Sequence, residues 1–232
     1  MDKYRVKILD IKEEAPGTKT FYLEKPSDIN WLEGAHTHIG LIGFDEGELP
    51  NKNWVRHMSI MTLPEDNKIG FTTRLLPPLS QFKEKLSDLR IGDEVILFKI
   101  GSRMFLRREN KRLVLLSMGV GITTMKPLIH RFLKDDAQIF GLININVNST
   151  KDFVYRKELD SLQSSKYKNH WMDSRSKFYE TLNQVSEQED AIYYVAGSDE
   201  FVKDVIKHLK NKNVADENII IDKKEELKLN YF

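Results

Sequence analysis

The chain of 232 residues contains no cysteine. That absence excludes disulfide bonds, thiolate zinc sites, ordinary cysteine-ligated iron–sulfur clusters and cysteine nucleophiles. Long apolar runs are also missing, because no stretch approaches the roughly 18 residues that a membrane-spanning helix needs. Any redox chemistry must therefore use a borrowed organic cofactor, and we expect no membrane insertion.

An excess of charge of either sign is lacking too, since 36 Lys and Arg face 35 Asp and Glu for a net charge of +1. The basic residues are scattered among acidic ones and form no stripe, so nucleic acid is a poor candidate partner. The first ten residues, MDKYRVKILD, lack the short apolar core and the cleavage site of a signal peptide. We therefore expect a cytoplasmic protein that is a monomer or a weak dimer.

The first part of the chain consists of short strand-like segments separated by turns rich in Pro, Gly, Asp and Asn. This pattern is typical of an antiparallel barrel or sandwich. One helical stretch, SQFKEKLSDL, interrupts it. The segments are YRVKILDI, KTFYLEK, HTHIGLIGF, VRHMSIM, KIGFTTRLL and DEVILFKI. We predict that residues 1–108 form a six-stranded antiparallel β-barrel domain.

A different pattern begins near Arg112. Apolar strands now alternate with longer helical segments, which predicts a parallel sheet with helices on its faces. The strands are RLVLLSM, AQIFGLINI, AIYYVAG and NIIID. The boundary falls in the polar run RRENKR. We predict that residues 109–232 form an α/β doubly wound nucleotide-binding domain.

The turn after the first of these parallel strands contains Gly119 and Gly121 and leads into a helix that begins near Thr123. In an open parallel sheet this turn is the usual phosphate site, because glycine lets the backbone approach the anion and the helix N-terminus directs N–H groups at it. The third glycine of the Rossmann fingerprint is missing, and no Asp or Glu ends the second strand. The site is therefore not that of an ordinary Rossmann dehydrogenase.

The chain contains four motifs that resemble, in the same order, those of the ferredoxin–NADP reductase superfamily of flavin-dependent oxidoreductases. They are RHMSIM, LSQFKEKLSDLRIGDEV, GVGIT and YYVAGSDEFVKDV. The resemblance spans nearly the whole chain. It implies an FAD-binding barrel, FMN being the less favoured flavin, followed by a domain that binds NAD(P)H.

The resemblance assigns the flavin motif Arg-x-Tyr-Ser to Arg56, His57, Met58 and Ser59. It implies that Arg56 pairs with a flavin phosphate and that Ser59, the one catalytic candidate, lies near the flavin N5 that accepts hydride. Met58 replaces the usual aromatic residue and would pack beside the flavin as a flexible thioether.

The helical stretch matches the place where the family presents a helix N-terminus to the second phosphate of FAD. Ser80 is the expected N-cap, and Phe82, Lys83 and the preceding Thr73 are further candidates for cofactor contact. A solvated charge is an equally good interpretation of Lys83.

In the second domain, the resemblance assigns the nicotinamide-nucleotide pyrophosphate loop to Gly119, Gly121 and Thr123. Gly197 and Ser198 match a segment close to the nicotinamide, where Ser198 replaces proline and the preceding alanine replaces cysteine. Tyr231 or its neighbour Phe232 could cover the flavin ring, although terminal aromatics are also often disordered.

Cofactor choice depends on residues beyond the second parallel strand. The absence of a carboxylate there favours NADPH slightly, as do four nearby residues that could accept a 2′-phosphate: Ser149, Lys151, Arg156 and Arg175. His36 and His38 alternate onto one strand face, but no third ligand follows at a convincing spacing, so we predict no metal site.

Together these features predict an oxidoreductase that takes hydride from NAD(P)H onto bound FAD and passes electrons to an external carrier protein or small molecule. Two alternatives remain open. One is a flavin reductase that uses free flavin as a substrate, and the other is a non-catalytic flavin- or nucleotide-binding regulatory subunit.

Overall fold

A computed structural model describes residues 2–186, 190–223 and 225–232. The chain divides into two compact units, Met1–Ser102 and Arg103–Phe232. No helix in the described ranges is long and apolar enough to cross a membrane.

The first unit is the predicted six-stranded antiparallel barrel, with sheet order β4-β3-β6-β1-β2-β5. Beyond β4 the chain returns to β5, where the Met61 N–H donates to the Gly70 carbonyl at 2.8 Å. The elements are β1 (Lys3–Ala15), β2 (Thr18–Glu24), β3 (Ala35–Leu41), β4 (Val55–Ser59), β5 (Lys68–Arg74), α1 (Gln81–Asp88) and β6 (Glu94–Ser102).

The barrel core follows from the alternation of apolar and polar residues along these strands, which turns one set of side chains inward. Phe21 and Phe71 stack with ring centroids 5.2 Å apart. Helix α1 joins this core through Phe82 and Leu86, both fully buried. These two apolar anchors hold α1, and with it the helix N-terminus, against the barrel.

The second unit is a five-stranded sheet with order β11-β10-β7-β8-β9 in which every pair is parallel. From β7 the chain builds outward through β8 and β9, then returns to β10 on the other side of β7. The elements are β7 (Lys111–Met118), α2 (Ile122–Lys134), β8 (Ile139–Val147), α3 (Arg156–Ser161), β9 (Tyr167–Met172), α4 (Arg175–Ser186), β10 (Ala191–Ala196), α5 (Asp199–Asn211), β11 (Ile219–Ile221) and α6 (Glu225–Lys228).

This doubly wound order confirms the predicted fold class. Its strand order reverses between β7 and β10, where the carboxyl ends of neighbouring strands diverge and leave a crevice that suits a ligand. The apolar strands are buried on both faces, with Leu116, Tyr193 and Phe201 among the core residues between sheet and helices.

The chain passes from the first unit to the second between Ser102 and Arg103, upstream of the predicted boundary at residues 108 and 109. Residues 103–108 belong to the second unit, where the hydroxyl of the buried Tyr194 makes two hydrogen bonds to their backbone. The Tyr194 hydroxyl donates to the Phe105 carbonyl at 2.9 Å and accepts from the Arg107 N–H at 2.8 Å.

Candidate cofactor-binding sites

The guanidinium of Arg56 is positioned by backbone carbonyls of its own turn. It donates to the Val55 carbonyl at 2.7 Å and makes longer bonds to those of Asn53 and Lys52. Its Cζ also lies 5.8 Å from the centroid of the Phe82 ring, a cation–π distance. The two residues that the resemblance places on β4 and α1 are thus neighbours in the folded barrel.

Ser80 occupies the N-cap position of α1, as predicted, with extended backbone angles. Its side chain makes no capping hydrogen bond, and its buried Oγ has no hydrogen-bond partner within the described residues. A buried hydroxyl without a partner is costly, so such a group usually binds water or a ligand. Here it lies at the positive end of a helix dipole, where an anion is favoured.

Positive charge converges on the same place. Burial lowers the pKa of the Lys83 ammonium, and the charges of Arg56 and Arg74 lower it further. Across the described ranges no carboxylate forms an ion pair with any of these three residues. Like charges held together without an acidic partner raise each other's energy, and a bound polyanion would relieve that repulsion.

The other predicted residues of the flavin motif lie around this group. Met58 packs against the barrel core. Ser59 pairs with His36 across the β3–β4 ladder, and the exposed His57 has its ring against that of His36. Thr73 is 5% exposed and lies opposite Lys19 in the β2–β5 ladder.

In the second unit, the two glycines after β7 have different roles. Gly119 has a φ of +53°, and nothing lies within 4 Å of the position that a Cβ would occupy. A Cβ on Gly121 would lie 2.5 Å from the Ala196 carbonyl oxygen. Gly119 therefore leaves open space above the turn, whereas Gly121 lets the start of α2 pack against the end of β10.

Thr123 lies in the first turn of α2 and is 3% exposed. Its Oγ1 has no hydrogen-bond partner within the described ranges, and the N-cap, Gly121, offers no side chain to the first N–H groups of the helix. This turn thus combines an unsatisfied hydroxyl, open space and a helix N-terminus. It has the properties predicted for a diphosphate loop.

Asn146 is a further residue of this loop that sequence reasoning missed. Its Nδ2 donates to Ser117 Oγ at 2.9 Å and to the Gly119 carbonyl at 3.3 Å, so β8 holds the turn after β7 in place. The available signal was the alternation I-N-I-N-V in a strand expected to be fully apolar. Burying an amide in a core is costly without hydrogen-bond partners, and here the Asn146 Nδ2 has two.

Ser198 and Gly197, at the carboxyl end of β10, make contacts within the second unit. The Ser198 Oγ accepts from the Phe201 N–H at 3.2 Å and caps α5. A Cβ on Gly197 would lie 2.6 Å from the Phe201 ring. The hydroxyl proposed from sequence for cofactor contact is therefore engaged in capping.

Tyr231 packs against the core of the second unit. Its hydroxyl donates at 2.8 Å to Asp199 Oδ1, which also accepts from Lys223 at 2.7 Å. These two hydrogen bonds lower the pKa of Asp199. The contacts anchor the end of the chain at the first turn of α5.

No protein-family model matches the chain. A curated relative, the flavohemoprotein of Candida albicans, is 23% identical over an alignment of 226 residues, and this alignment covers 90% of this chain and 56% of the relative. The chain thus spans a little over half the length of that protein.

Solved structures are more informative about the fold. A ferredoxin NADP+ reductase from Neisseria gonorrhoeae with bound FAD and NADP has a TM-score of 0.79 at 17% identity, covering 96% of this chain and 98% of that one. The flavohem-like FAD/NAD-binding domain of nitric oxide dioxygenase from Vibrio cholerae has a TM-score of 0.73 at 16% identity, with 96% and 98% covered. The chain has the ferredoxin–NADP reductase fold.

Within the ferredoxin–NADP reductase fold of this chain, each unit contains a candidate anion site. The barrel site joins Arg56, Lys83 and Ser80, and the α/β site joins Thr123 with the turn at Gly119. Both sites have an unsatisfied hydroxyl at a helix N-terminus, which fits a phosphate-bearing cofactor in each unit.

Proposed function

We propose that the chain is a flavin-dependent oxidoreductase that takes hydride from NAD(P)H onto bound FAD and passes electrons to an external carrier protein or small molecule. One observation supports this most. Arg56, Arg74 and Lys83 lie close together near the N-terminus of α1, and within the described residues they have no acidic partner. The Ser80 Oγ at that N-terminus also has no hydrogen-bond partner among the described residues. When bound, FAD supplies the hydride-accepting N5 and can release electrons singly or in pairs.

The residues of the barrel would hold FAD through its phosphates. Arg56 provides a permanently charged, forked donor whose orientation is set by the backbone carbonyls of its turn. Lys83, Ser80 and the first N–H groups of α1 provide the further donors that a second phosphate needs. FMN has no second phosphate, so this group of donors favours FAD.

The residues of the α/β unit would hold the diphosphate of the nicotinamide nucleotide. Thr123 and the N-terminus of α2 offer donors, and Asn146 keeps the Gly119 turn in its open conformation. Ser59 would present its hydroxyl or N–H to the flavin. The protein's contribution is binding and orientation, because no acid–base residue is required for hydride transfer itself.

Arg56→Gln tests the barrel site. Loss of a charge-assisted bond of roughly 1.5–3 kcal/mol should weaken FAD binding about 10- to 100-fold. The matched control is Arg90→Gln, which removes an exposed guanidinium from the same unit. Fluorescence titration of the flavin-free chain measures both affinities. Equal FAD affinity in the two variants would contradict the proposed role of Arg56.

For the nicotinamide nucleotide, we propose that NADH is accepted at least as well as NADPH. The basic residues that favoured NADPH in the sequence all pair with carboxylates. Lys151 lies 3.7 Å from Asp173, Arg156 lies 3.4 Å from Asp160, and Arg175 lies 2.8 Å from Asp204. These carboxylates would weaken the attraction of the cations for a 2′-phosphate.

Asp173→Asn tests this choice, because it leaves Lys151 and Lys177 without their shared carboxylate. We expect the ratio of kcat/KM for NADPH to that for NADH to rise several-fold. Asp136→Asn is the control, since Asp136 pairs with Lys166 and precedes β8, at the other end of the sheet. An unchanged ratio in Asp173→Asn would show that the 2′-position lies elsewhere.

A further inference from the structure

The first half of β1 forms an open edge of the barrel sheet. Residues Lys3–Lys7 pair with β6 on one side, but the ladder with β2 begins only at Ile8, opposite Leu23. A β-bulge at Leu9 bends β1 away from β2 at this point, because Ile8 and Asp10 face successive residues of β2. Within the described residues, Lys3–Lys7 therefore have no strand on the β2 side.

A groove of about 600 Å³ lies along this edge. The residues that line it include Lys3, Arg5, Leu9, Glu24, Lys25 and Asn67. Consecutive N–H groups of a strand point to alternate edges. The Ile8 N–H donates at 2.7 Å to the Asp93 carbonyl, on the β6 side, whereas the Lys7 N–H donates at 3.0 Å to Glu24 Oε2, on the β2 side. The Arg5 N–H, two residues before Lys7, therefore also points to the groove side, where no described residue accepts from it.

Positive charge borders the groove. Lys25 lines it, Lys7 lies on the open edge, and Lys68 follows the lining residue Asn67. Within the described ranges none of these three lysines forms an ion pair. Among the described residues that line the groove, Glu24 is the only carboxylate, and it is already bonded to the Lys7 N–H. The groove therefore suits a ligand that carries negative charge and offers backbone hydrogen bonds.

We infer that this groove binds an extended acidic segment of a partner protein, which adds to β1 as a further strand. Its main chain would bond to the free edge at Arg5, and one of its carbonyls would take the place of Glu24 at the Lys7 N–H. Its acidic side chains would lie beside the exposed basic side chains of β1, since opposite charges on neighbouring strands attract. A second copy of this chain fits poorly, because two paired β1 strands would bring like charges together.

The groove is separate from the candidate flavin site. Glu24 and Thr18 are the two ends of β2, and six residue steps of about 3.3 Å place them roughly 20 Å apart. Thr18 lies opposite Arg74, which belongs to the cations around α1. The inference therefore does not depend on the proposed oxidoreductase activity.

The test is a calorimetric titration of the full chain with two six-residue peptides that have blocked ends. One alternates glutamate with valine, and the other alternates lysine with valine. The acidic peptide should bind at least tenfold more tightly than the basic one. The double variant Lys7→Gln/Lys25→Gln should bind the acidic peptide about 3- to 10-fold more weakly, as the loss of two charge pairs between strands predicts. Lys157→Gln/Lys207→Gln is the matched control, because it removes two exposed lysines from α3 and α5 and should leave the affinity unchanged.

Residue-resolved amide hydrogen exchange shows where the acidic peptide binds. The Arg5 amide should exchange rapidly in the free chain and at least tenfold more slowly with the peptide, whereas those of Tyr4 and Val6 are slow in both states. The inference is overturned if the acidic peptide does not bind, if both peptides bind equally, or if the double variant binds as tightly as its control. It is also overturned if the Arg5 amide is unaffected by the peptide. Protection of Arg5 that grows with protein concentration alone would show that a second copy covers the edge instead.

Discussion

Ser80 and Ser198 hold the same position at two helix N-termini, and only one of them caps its helix. The Ser198 Oγ accepts from the Phe201 N–H at 3.2 Å, whereas the Ser80 side chain makes no such bond. An N-cap that is used contributes about 1 kcal/mol to the free energy of unfolding. Capping therefore engages the Ser198 hydroxyl, and we propose a ligand-binding role for that of Ser80.

We predict opposite outcomes for the two alanine variants. Ser198→Ala should lower the free energy of unfolding by about 1 kcal/mol. Ser80→Ala should leave that of the flavin-free chain almost unchanged and weaken FAD binding. Chemical denaturation and FAD titration of each variant measure the two effects. A stability loss in Ser80→Ala with normal FAD binding would return Ser80 to a structural role.

At the residue level, sequence reasoning could name the candidates that local motifs mark and missed residues that depend on strand pairing. Arg56, Ser80 and Lys83 could be named because each belongs to a recognisable segment. Asn146 could not, because its partners come from a neighbouring strand whose register is set by tertiary packing. Whether Thr73, Ser198 or Tyr231 contacts a cofactor stays a prediction.

Between elements, a charged cluster joins α2 to α3. The Lys126 Nζ lies 2.8 Å from one oxygen of Glu158, and the His130 Nε2 lies 3.0 Å from the other. Burial alone would raise the pKa of the Glu158 carboxyl, but the hydrogen bonds and charges of His130 and Lys126 lower it to about 2. The ionised carboxylate therefore stabilises the contact between the two helices.

This pKa predicts how stability depends on pH. The Glu158 carboxyl has a pKa of about 2 in the folded chain against an ordinary value of 4.5, so its contribution is fully present above pH 4.5. It is lost as the pH falls toward 2. Glu158→Gln should thus be less stable than the wild-type chain at pH 6, and the difference should shrink between pH 4.5 and 2. A difference that is constant with pH would contradict this account.

Helices and most strands were predictable because their apolar periodicity is strong, but β9 was missed. Its sequence, YKNHWM, lacks the apolar run of a buried strand, and only Tyr167 in it is fully buried. It forms because it pairs with β8 over its whole length, from Leu142 opposite Tyr167 to Val147 opposite Met172. Edge strands of this kind depend on their neighbour more than on their own composition.

For the whole molecule, the fold class and the order of its two units followed from a change of pattern along the chain. Short strands separated by turns come first, and strands that alternate with helices follow. The boundary was less predictable, because Tyr194 binds the connecting segment to the second unit. Each unit contains one candidate anion site, where a hydroxyl at a helix N-terminus has no hydrogen-bond partner among the described residues. Two such sites in one chain are the basis for proposing two phosphate-bearing cofactors.

Anaerobic titration of the purified full chain with NADH, and separately with NADPH, tests the central claim most directly. The account predicts a yellow protein whose flavin absorbance bleaches with about one equivalent of reduced nucleotide per FAD. It also predicts that NADH bleaches it at least as fast as NADPH. A colourless protein that reduces only added flavin, or one that binds nucleotide without bleaching, would contradict the account.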